Sequence, residues 1–210
     1  MTNNVSTTAK PQLFYSEGSP YARICRMAIR EGGLVDQVQE AFTTLRDPEA
    51  AVLPFSPSGR VPALVLPDRT AITETTLIIG WLDSYGSQPA MLPVQTPEIA
   101  AYGRVLGMLD GIAVWNRELR RPVNERSPSV IALENLRANR IADALEHDVA
   151  KGAYTKVDAG YLALSSVLGY CERRHTVWKW REGRPELSRW FDQASQRTAF
   201  QETLPPVSGI

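Results

Sequence analysis

The chain has 210 residues, of which 43% are hydrophobic and 22% are charged, as in an ordinary soluble globular protein with room for one large or two small domains. Its 23 basic and 23 acidic residues balance, so no charge excess points to nucleic acid or to an anionic membrane as a partner. No apolar run approaches a membrane span, and residues 1–9 lack the apolar segment of a signal peptide.

The first part of the chain predicts a strand, a helix and a second strand. The short apolar run Gln12–Tyr15 predicts the first strand. Ser19-Pro20 is a helix N-cap followed by proline at the first helical position, so the helix should run from Pro20 to about Glu31. Alternation over Val38–Phe42 predicts the second strand. A strand, helix and strand within about 30 residues form a βαβ unit.

The next stretch predicts a hairpin followed by a helix. Ser56–Gly59 has the composition of a loop, and Ala63–Leu66 is an apolar run of strand type. After a turn, Thr70–Ile72 can return as a strand. Thr73 stands in the N-cap position of a helix that should run to about residue 84, with the carboxylate of Glu74 in its first turn.

Everything after residue 97 reads as helical, behind a proline-marked linker over residues 87–97. Helix starts are predicted at Thr96, at Ser127-Pro128, at a variant capping box over Thr155–Asp158, and at Pro185. The third of these helices is largely apolar and should be the buried one of the bundle. The predicted organisation is a disordered tail (1–11), a first domain (12–86), the linker (87–97) and an all-helical domain (98–210).

This layout and one loop resemble the soluble glutathione S-transferase superfamily. The matching residues of the family's P-x-G-x-V-P-x-L loop and of its later E-S pair are Pro57, Gly59, Val61, Pro62, Leu64 and Glu74-Thr75. The segments 170–174 and 200–206 resemble small bacterial members in particular. The resemblance implies an α/β thioredoxin-like N-terminal domain (βαβ-ββα), an all-α helical bundle domain and a cytoplasmic homodimer.

The resemblance also implies a glutathione site along Arg60, Val61, Glu74 and Thr75. If Val61–Pro62 is cis, the turn exposes the backbone of Val61, with which an extended peptide can pair. Glu74 could take the ammonium of the γ-glutamyl group, and Thr75 with the helix-start N–H groups its carboxylate. Arg60 could reach the carboxylate at the other end. Alternatively, this stretch is a hairpin and helix with an ordinary cap.

Ser19 is the candidate that holds the sulfur of glutathione, because Ser19-Pro20-Tyr21 matches the start of the first helix in relatives that use a hydroxyl. A hydroxyl donor at a helix N-terminus stabilises a thiolate, which then attacks an electrophile. Ser19 could instead only cap the helix, and Ser16 and Tyr15 are rivals in the same turn. Cys25 lies on an apolar helix face and is predicted to pack in the core.

The pocket for the second substrate has no local motif, and Tyr21, Met108, Asp110 and Trp115 are its candidate lining residues. His147 and His175 are single and far apart, so no metal site is expected. Two cysteines without a C-x-x-C pattern predict a reduced, cytoplasmic protein.

The leading functional hypothesis is a glutathione transferase that conjugates reduced glutathione to a small electrophile. An isomerase, lyase or dehalogenase that uses glutathione is a variant of it. The rival class is a non-catalytic protein of the same fold that acts by binding a protein or a ligand. The identity of the electrophile cannot be deduced, because its pocket is assembled from residues far apart in the chain.

Overall fold

The computed structural model describes residues 9–208, so most of the predicted tail lies outside the described residues. The strands in this range are β1 (Gln12–Tyr15), β2 (Gln39–Phe42), β3 (Ala63–Val65) and β4 (Ala71–Thr73). The α-helices in this range are α1 (Pro20–Glu31), α2 (Thr75–Tyr85), α3 (Thr96–Leu119), α4 (Pro128–Ala150), α5 (Ala159–Arg174), α6 (Pro185–Ala194) and α7 (Thr198–Gln201).

The four strands form one mixed sheet in the order β2-β1-β3-β4. β1 pairs with β2 in parallel, as the α1 crossover requires, and the β1–β3 and β3–β4 pairs are antiparallel. Leu13 of β1 lies opposite Leu64 of β3, and both are fully buried beneath the helices. The predicted fold class, a thioredoxin-like α/β part followed by helices, is confirmed.

Helix α5 is the centre of the helical part, as its apolar sequence predicts. All residues from Ala159 to Cys171 except the half-buried Tyr161 are buried, because α5 packs against both α3 and α1. Within residues 9–208, no helix is both long and apolar enough to cross a lipid bilayer.

Several predicted helix boundaries are wrong by a few residues. Thr73 does not cap α2; it pairs with Ala63 in the sheet, and Glu74 takes the N-cap position. The cap of α5 is Asp158, not Thr155, since the Asp158 carboxylate accepts a hydrogen bond of 3.0 Å from the N–H of Tyr161. Likewise the N-cap of α3 is Gln95, and Thr96, the predicted cap, is the first residue of the helix. The last helix, predicted as one element from Pro185 to the prolines at 205–206, instead ends at Ala194, and the short α7 follows as a separate helix.

Two buried polar contacts join α1 to the helical part. Ser166, in the middle of α5, donates a hydrogen bond of 2.9 Å to the carbonyl of Pro20. Arg23 is buried, donates to the carbonyl of Phe200 at 3.0 Å, and lies 4.1 Å from the centre of the Phe200 ring. The start of α1 is therefore held from both the middle and the end of the helical region.

His175, just after α5, is fully buried in an environment that disfavours its charged form. Its ring packs edge-on against Trp115, with centroids 4.5 Å apart, and its Nδ1 faces the side-chain amide of Asn116 at 3.3 Å. Burial, and then the charge of Arg120, lower the pKa of His175 to about 4. The unfolded chain, with an ordinary histidine pKa near 6.5, therefore takes up this proton first as pH falls.

We expect His175 to cost the folded protein about 2 kcal/mol of stability between pH 7 and pH 4.5. Urea unfolding at both pH values checks this on the wild type, His175→Gln and His147→Gln, in which the replaced histidine is not buried. The stability lost between pH 7 and pH 4.5 should be about 2 kcal/mol smaller in His175→Gln than in the wild type, and unchanged in His147→Gln. An equal loss in all three proteins would show that His175 does not carry this proton linkage.

Candidate functional site

A cleft of about 830 Å³ opens between the sheet-containing part and the helical part. Its walls are the loops before α1 and β3, the start of α2, one face of α3 and the end of α5. The predicted site residues that line it are Ser19, Tyr21, Arg60, Val61, Glu74, Thr75 and Asp110. Segments that are far apart in the chain thus meet at one site.

Ser19 lies at the N-terminus of α1 and serves as its cap. Its Oγ accepts a hydrogen bond of 3.2 Å from the N–H of Ala22. Because the oxygen acts here as an acceptor, the hydroxyl hydrogen stays available for donation to a ligand. Ser16 also lines the cleft. Tyr15 does not, since its ring packs under the guanidinium of Arg26, 4.0 Å from the ring centre.

The loop before β3 presents backbone groups to the cleft. The Val61–Pro62 peptide bond is cis. Among residues 9–208, the N–H and C=O of Val61 have no hydrogen-bond partner. The neighbouring Arg60 is exposed, and within the same range it forms no ion pair. An extended ligand could therefore pair with Val61 and still reach a cation at Arg60.

Glu74 has an unusual backbone conformation for a residue with a side chain. Its φ is +71°, in the left-handed region that favours glycine. Its carboxylate is exposed and makes no capping hydrogen bond to α2. Because the side chain makes no bond that stabilises the helix, a structural role does not explain why a strained glutamate stands here. Backbone strain of this kind is common at ligand sites. The adjacent first-turn N–H groups of α2 begin at Thr75, have no acceptor within the helix and can therefore donate to an anion.

Tyr21 and Asp110 join the two walls of the cleft. The Tyr21 hydroxyl donates a short hydrogen bond to the Asp110 carboxylate, linking α1 to α3. Burial, and then the hydrogen bond to Asp110, raise the pKa of the Tyr21 phenol well above its usual value near 10. Tyr21 therefore stays protonated at physiological pH and keeps donating to Asp110.

The structure does not bring Met108 and Trp115 into the cleft. Both are buried on the face of α3 that packs on the other helices, and Trp115 contacts Trp178 with ring centroids 6.3 Å apart. They are seven residues apart, two helical turns, so one cannot leave that face without the other. Their large apolar side chains fit the core better than a solvent-filled cleft.

The cleft face of α3 follows from Asp110 at helical spacing. Ala113, Val114 and Arg117, at offsets of three, four and seven, line the cleft with Asp110. This periodicity could have identified them in the sequence once Asp110 was placed. Tyr170 and Arg174 at the end of α5 also line the cleft, and they had no such signal because α5 lies far away in the chain.

Cys25 packs in the core, as predicted. It is fully buried, and burial raises the pKa of its thiol well above the ordinary range, so it remains an unreactive thiol. Residues 9–208 contain no group of three or more histidine, cysteine, aspartate or glutamate side chains placed to hold a metal ion.

Comparison with known proteins decides the family. Residues 18–84 match the family "Glutathione S-transferase, N-terminal domain". A glutathione S-transferase from Methylobacillus flagellatus KT, solved with glutathione bound, is 27% identical, with a TM-score of 0.83 over 93% of this chain and 100% of that one. The chain belongs to the soluble glutathione transferase superfamily. Most residues of one wall of the cleft belong to the matched segment, and α3 and α5 form the other wall.

Two further relatives agree with the superfamily assignment. A glutathione transferase family member from Pseudomonas fluorescens Pf-5, solved with bound glutathione, is 25% identical, with a TM-score of 0.86 over 94% of this chain and 100% of that one. An Escherichia coli K12 protein, "Uncharacterized GST-like protein YibF", is 26% identical over 201 residues, which are 93% of this chain and 98% of that protein.

Proposed function

We propose that this glutathione transferase superfamily member binds reduced glutathione in the cleft and conjugates it to a small electrophile. One observation carries the proposal: residues predicted from three separate stretches, around Ser19, Val61 and Glu74, line one cleft. Relatives solved with glutathione bound support the same ligand. By the same resemblance we propose a cytoplasmic homodimer.

Glutathione would lie along the sheet-containing wall of the cleft. Its backbone pairs with the free N–H and C=O of Val61. Its γ-glutamyl ammonium meets the Glu74 carboxylate, and its γ-glutamyl carboxylate meets the Thr75 end of α2. Its glycine carboxylate reaches Arg60, whose planar guanidinium suits two parallel hydrogen bonds to a carboxylate. The cysteine sulfur is then near Ser19.

Ser19 would stabilise the ionised sulfur by donating its free hydroxyl hydrogen. A free thiol titrates near 8.5, and lowering that pKa by about two units needs roughly 2.7 kcal/mol of differential stabilisation. One hydrogen bond and the N-terminal end of α1 together act in that direction. The thiolate sulfur forms a bond to an electrophilic carbon, and the leaving group departs with its electron pair.

Calorimetric titration with reduced glutathione tests the proposal. We expect binding with a dissociation constant between about 1 μM and 1 mM, or −8 to −4 kcal/mol. γ-Glutamylcysteine, which lacks the glycine carboxylate, should bind more weakly if Arg60 holds that group. No heat at several temperatures, with no thermal stabilisation by glutathione, would favour the alternative: a non-catalytic protein of this fold that binds a partner. A positive result would justify screening electrophiles, including those for isomerase, lyase and dehalogenase reactions.

A further inference from the structure

The cleft adjoins a second hollow of about 700 Å³ that is rich in arginine. We call it the arginine hollow; the arginines that line it are Arg46, Arg117, Arg120, Arg126 and Arg174. Arg117 and Arg174 line the main cleft as well, so the two spaces share a boundary. Within the described range 9–208, no acidic residue lines the arginine hollow.

None of these five arginines has a carboxylate partner in the described part of the chain, unlike most other arginines. Nine arginines elsewhere in that part form ion pairs with aspartate or glutamate. The whole chain carries no net charge, so these unpaired cations are a local excess and not a property of the surface in general. Like charges held together repel each other, and an anion between them removes that cost.

The arginines that do have partners use neutral ones, which leaves their charge available. Arg120 donates to the side chain of Asn116 and to Ser208, each at 2.8 Å. Arg174 donates to the carbonyl of Pro206 at 3.1 Å, and its Nε is buried with no hydrogen-bond partner among residues 9–208. Both guanidinium groups are thus fixed in position and keep donors free for an anion.

Arg174 also lies directly beside the sulfur end of the cleft. A Cβ atom added to Gly18 would come within 3.0 Å of its guanidinium carbon, so the guanidinium packs on the backbone one residue before Ser19. Ala113 and Val114 supply apolar surface next to Arg117 on α3. An electrophile joined to sulfur near Ser19 would therefore meet both apolar surface and cations.

We propose that the second substrate is an electrophile with an apolar body and a carboxylate, and that Arg117 and Arg174 bind the carboxylate. This inference rests on the proposed function, because the electrophile is placed relative to sulfur at Ser19. The two carboxylates of glutathione itself do not satisfy these arginines, since Thr75 and Arg60 receive them on the opposite wall.

Two conjugates that differ by one carboxylate test the proposal without requiring turnover. The dissociation constants of S-benzylglutathione and S-(4-carboxybenzyl)glutathione are measured by calorimetry on the wild type, Arg117→Met and Arg140→Met. The control, Arg140→Met, removes the same charge from an exposed position on α4 away from the cleft. The wild type should bind the carboxybenzyl conjugate about 10-fold more tightly, as expected for a charge-assisted hydrogen bond.

The preference should fall to within about 3-fold of unity in Arg117→Met and stay unchanged in Arg140→Met. It should also weaken as the salt concentration rises. Equal binding of the two conjugates by the wild type, or a preference that survives Arg117→Met, would overturn the carboxylate proposal and leave glutathione binding intact. Failure of both conjugates and of reduced glutathione to bind would instead overturn the proposed function, and this inference with it.

Discussion

Replacing Ser19 by alanine should lower turnover about 25-fold at pH 7 and weaken glutathione binding only about 4-fold, the part of the affinity that is linked to ionisation of the thiol. Without the hydroxyl donor, the pKa of bound glutathione returns from about 6.5 to about 8.5, and the ionised fraction falls from roughly three quarters to about 3%. Binding should survive because the other proposed contacts of glutathione lie along Arg60, Val61, Glu74 and Thr75.

The pH profile separates this effect from a folding defect. Above pH 9 the thiol ionises without help, so Ser19→Ala should approach the turnover of the wild type. Ser127→Ala is the matched control, because Ser127 caps α4 in the same Ser-Pro arrangement, accepting from the N–H of Val130 at 3.4 Å, away from the cleft. Each alanine variant should lose about 1 kcal/mol of stability from its cap.

Three results would remove Ser19 from the mechanism. The first is unchanged turnover in Ser19→Ala, and the second is a deficit that is the same at pH 7 and pH 9. The third is a larger, pH-dependent deficit in Ser16→Ala, which would transfer the sulfur contact to Ser16, the other serine of this turn that lines the cleft.

Replacing Glu74 by alanine should weaken glutathione binding about 10- to 100-fold, the effect of removing a charge-assisted hydrogen bond to an ammonium group. Glu74→Gly should weaken binding equally and yet be more stable than Glu74→Ala, since only glycine adopts a φ of +71° without strain. Calorimetry and thermal unfolding measure the two effects separately.

Glu17→Ala is the control for Glu74, because it removes an exposed carboxylate from the neighbouring loop without touching the cleft lining. It should bind glutathione as the wild type does. Full affinity in both Glu74 variants would refute the placement of the γ-glutamyl group. A Glu74→Gly protein no more stable than Glu74→Ala would show that the backbone of residue 74 carries little strain.

Local signals in the sequence were sufficient for the fold and for one wall of the cleft. Helix α1 begins at Pro20 and ends at Glu31, as its cap and proline predict. The loop around Val61 and the helix start at Glu74 lie close together in the chain, on either side of the β3–β4 hairpin, so a short sequence motif is enough to predict both. The observed helix caps differ from the predicted ones where tertiary contacts dominate. Thr73, for example, pairs with Ala63 in the sheet and does not cap α2.

The other wall could not be deduced in full, because it depends on which face of each helix the packing exposes. Helix α3 alternates apolar and polar residues too loosely to separate a cleft face from a core face. Met108 and Trp115 therefore looked as suitable as Asp110, although packing buries both. The arginine of α5 in the cleft, Arg174, meets α3 only through the folded arrangement of the helices.

The buried hydrogen bond from Ser166 to the carbonyl of Pro20 limits which segments of this protein can be exchanged with those of its relatives. Pro20, next to Ser19, is anchored by the middle of α5, and Arg23, one turn later, is anchored by the carbonyl of Phe200 in α7. Residues 12–86 therefore cannot be exchanged between members independently of the helices that follow. A chimaera that joined residues 12–86 to another member's helices would need a hydroxyl at the position of Ser166 and a carbonyl at the position of Phe200, or the start of α1 around Ser19 would lose its orientation.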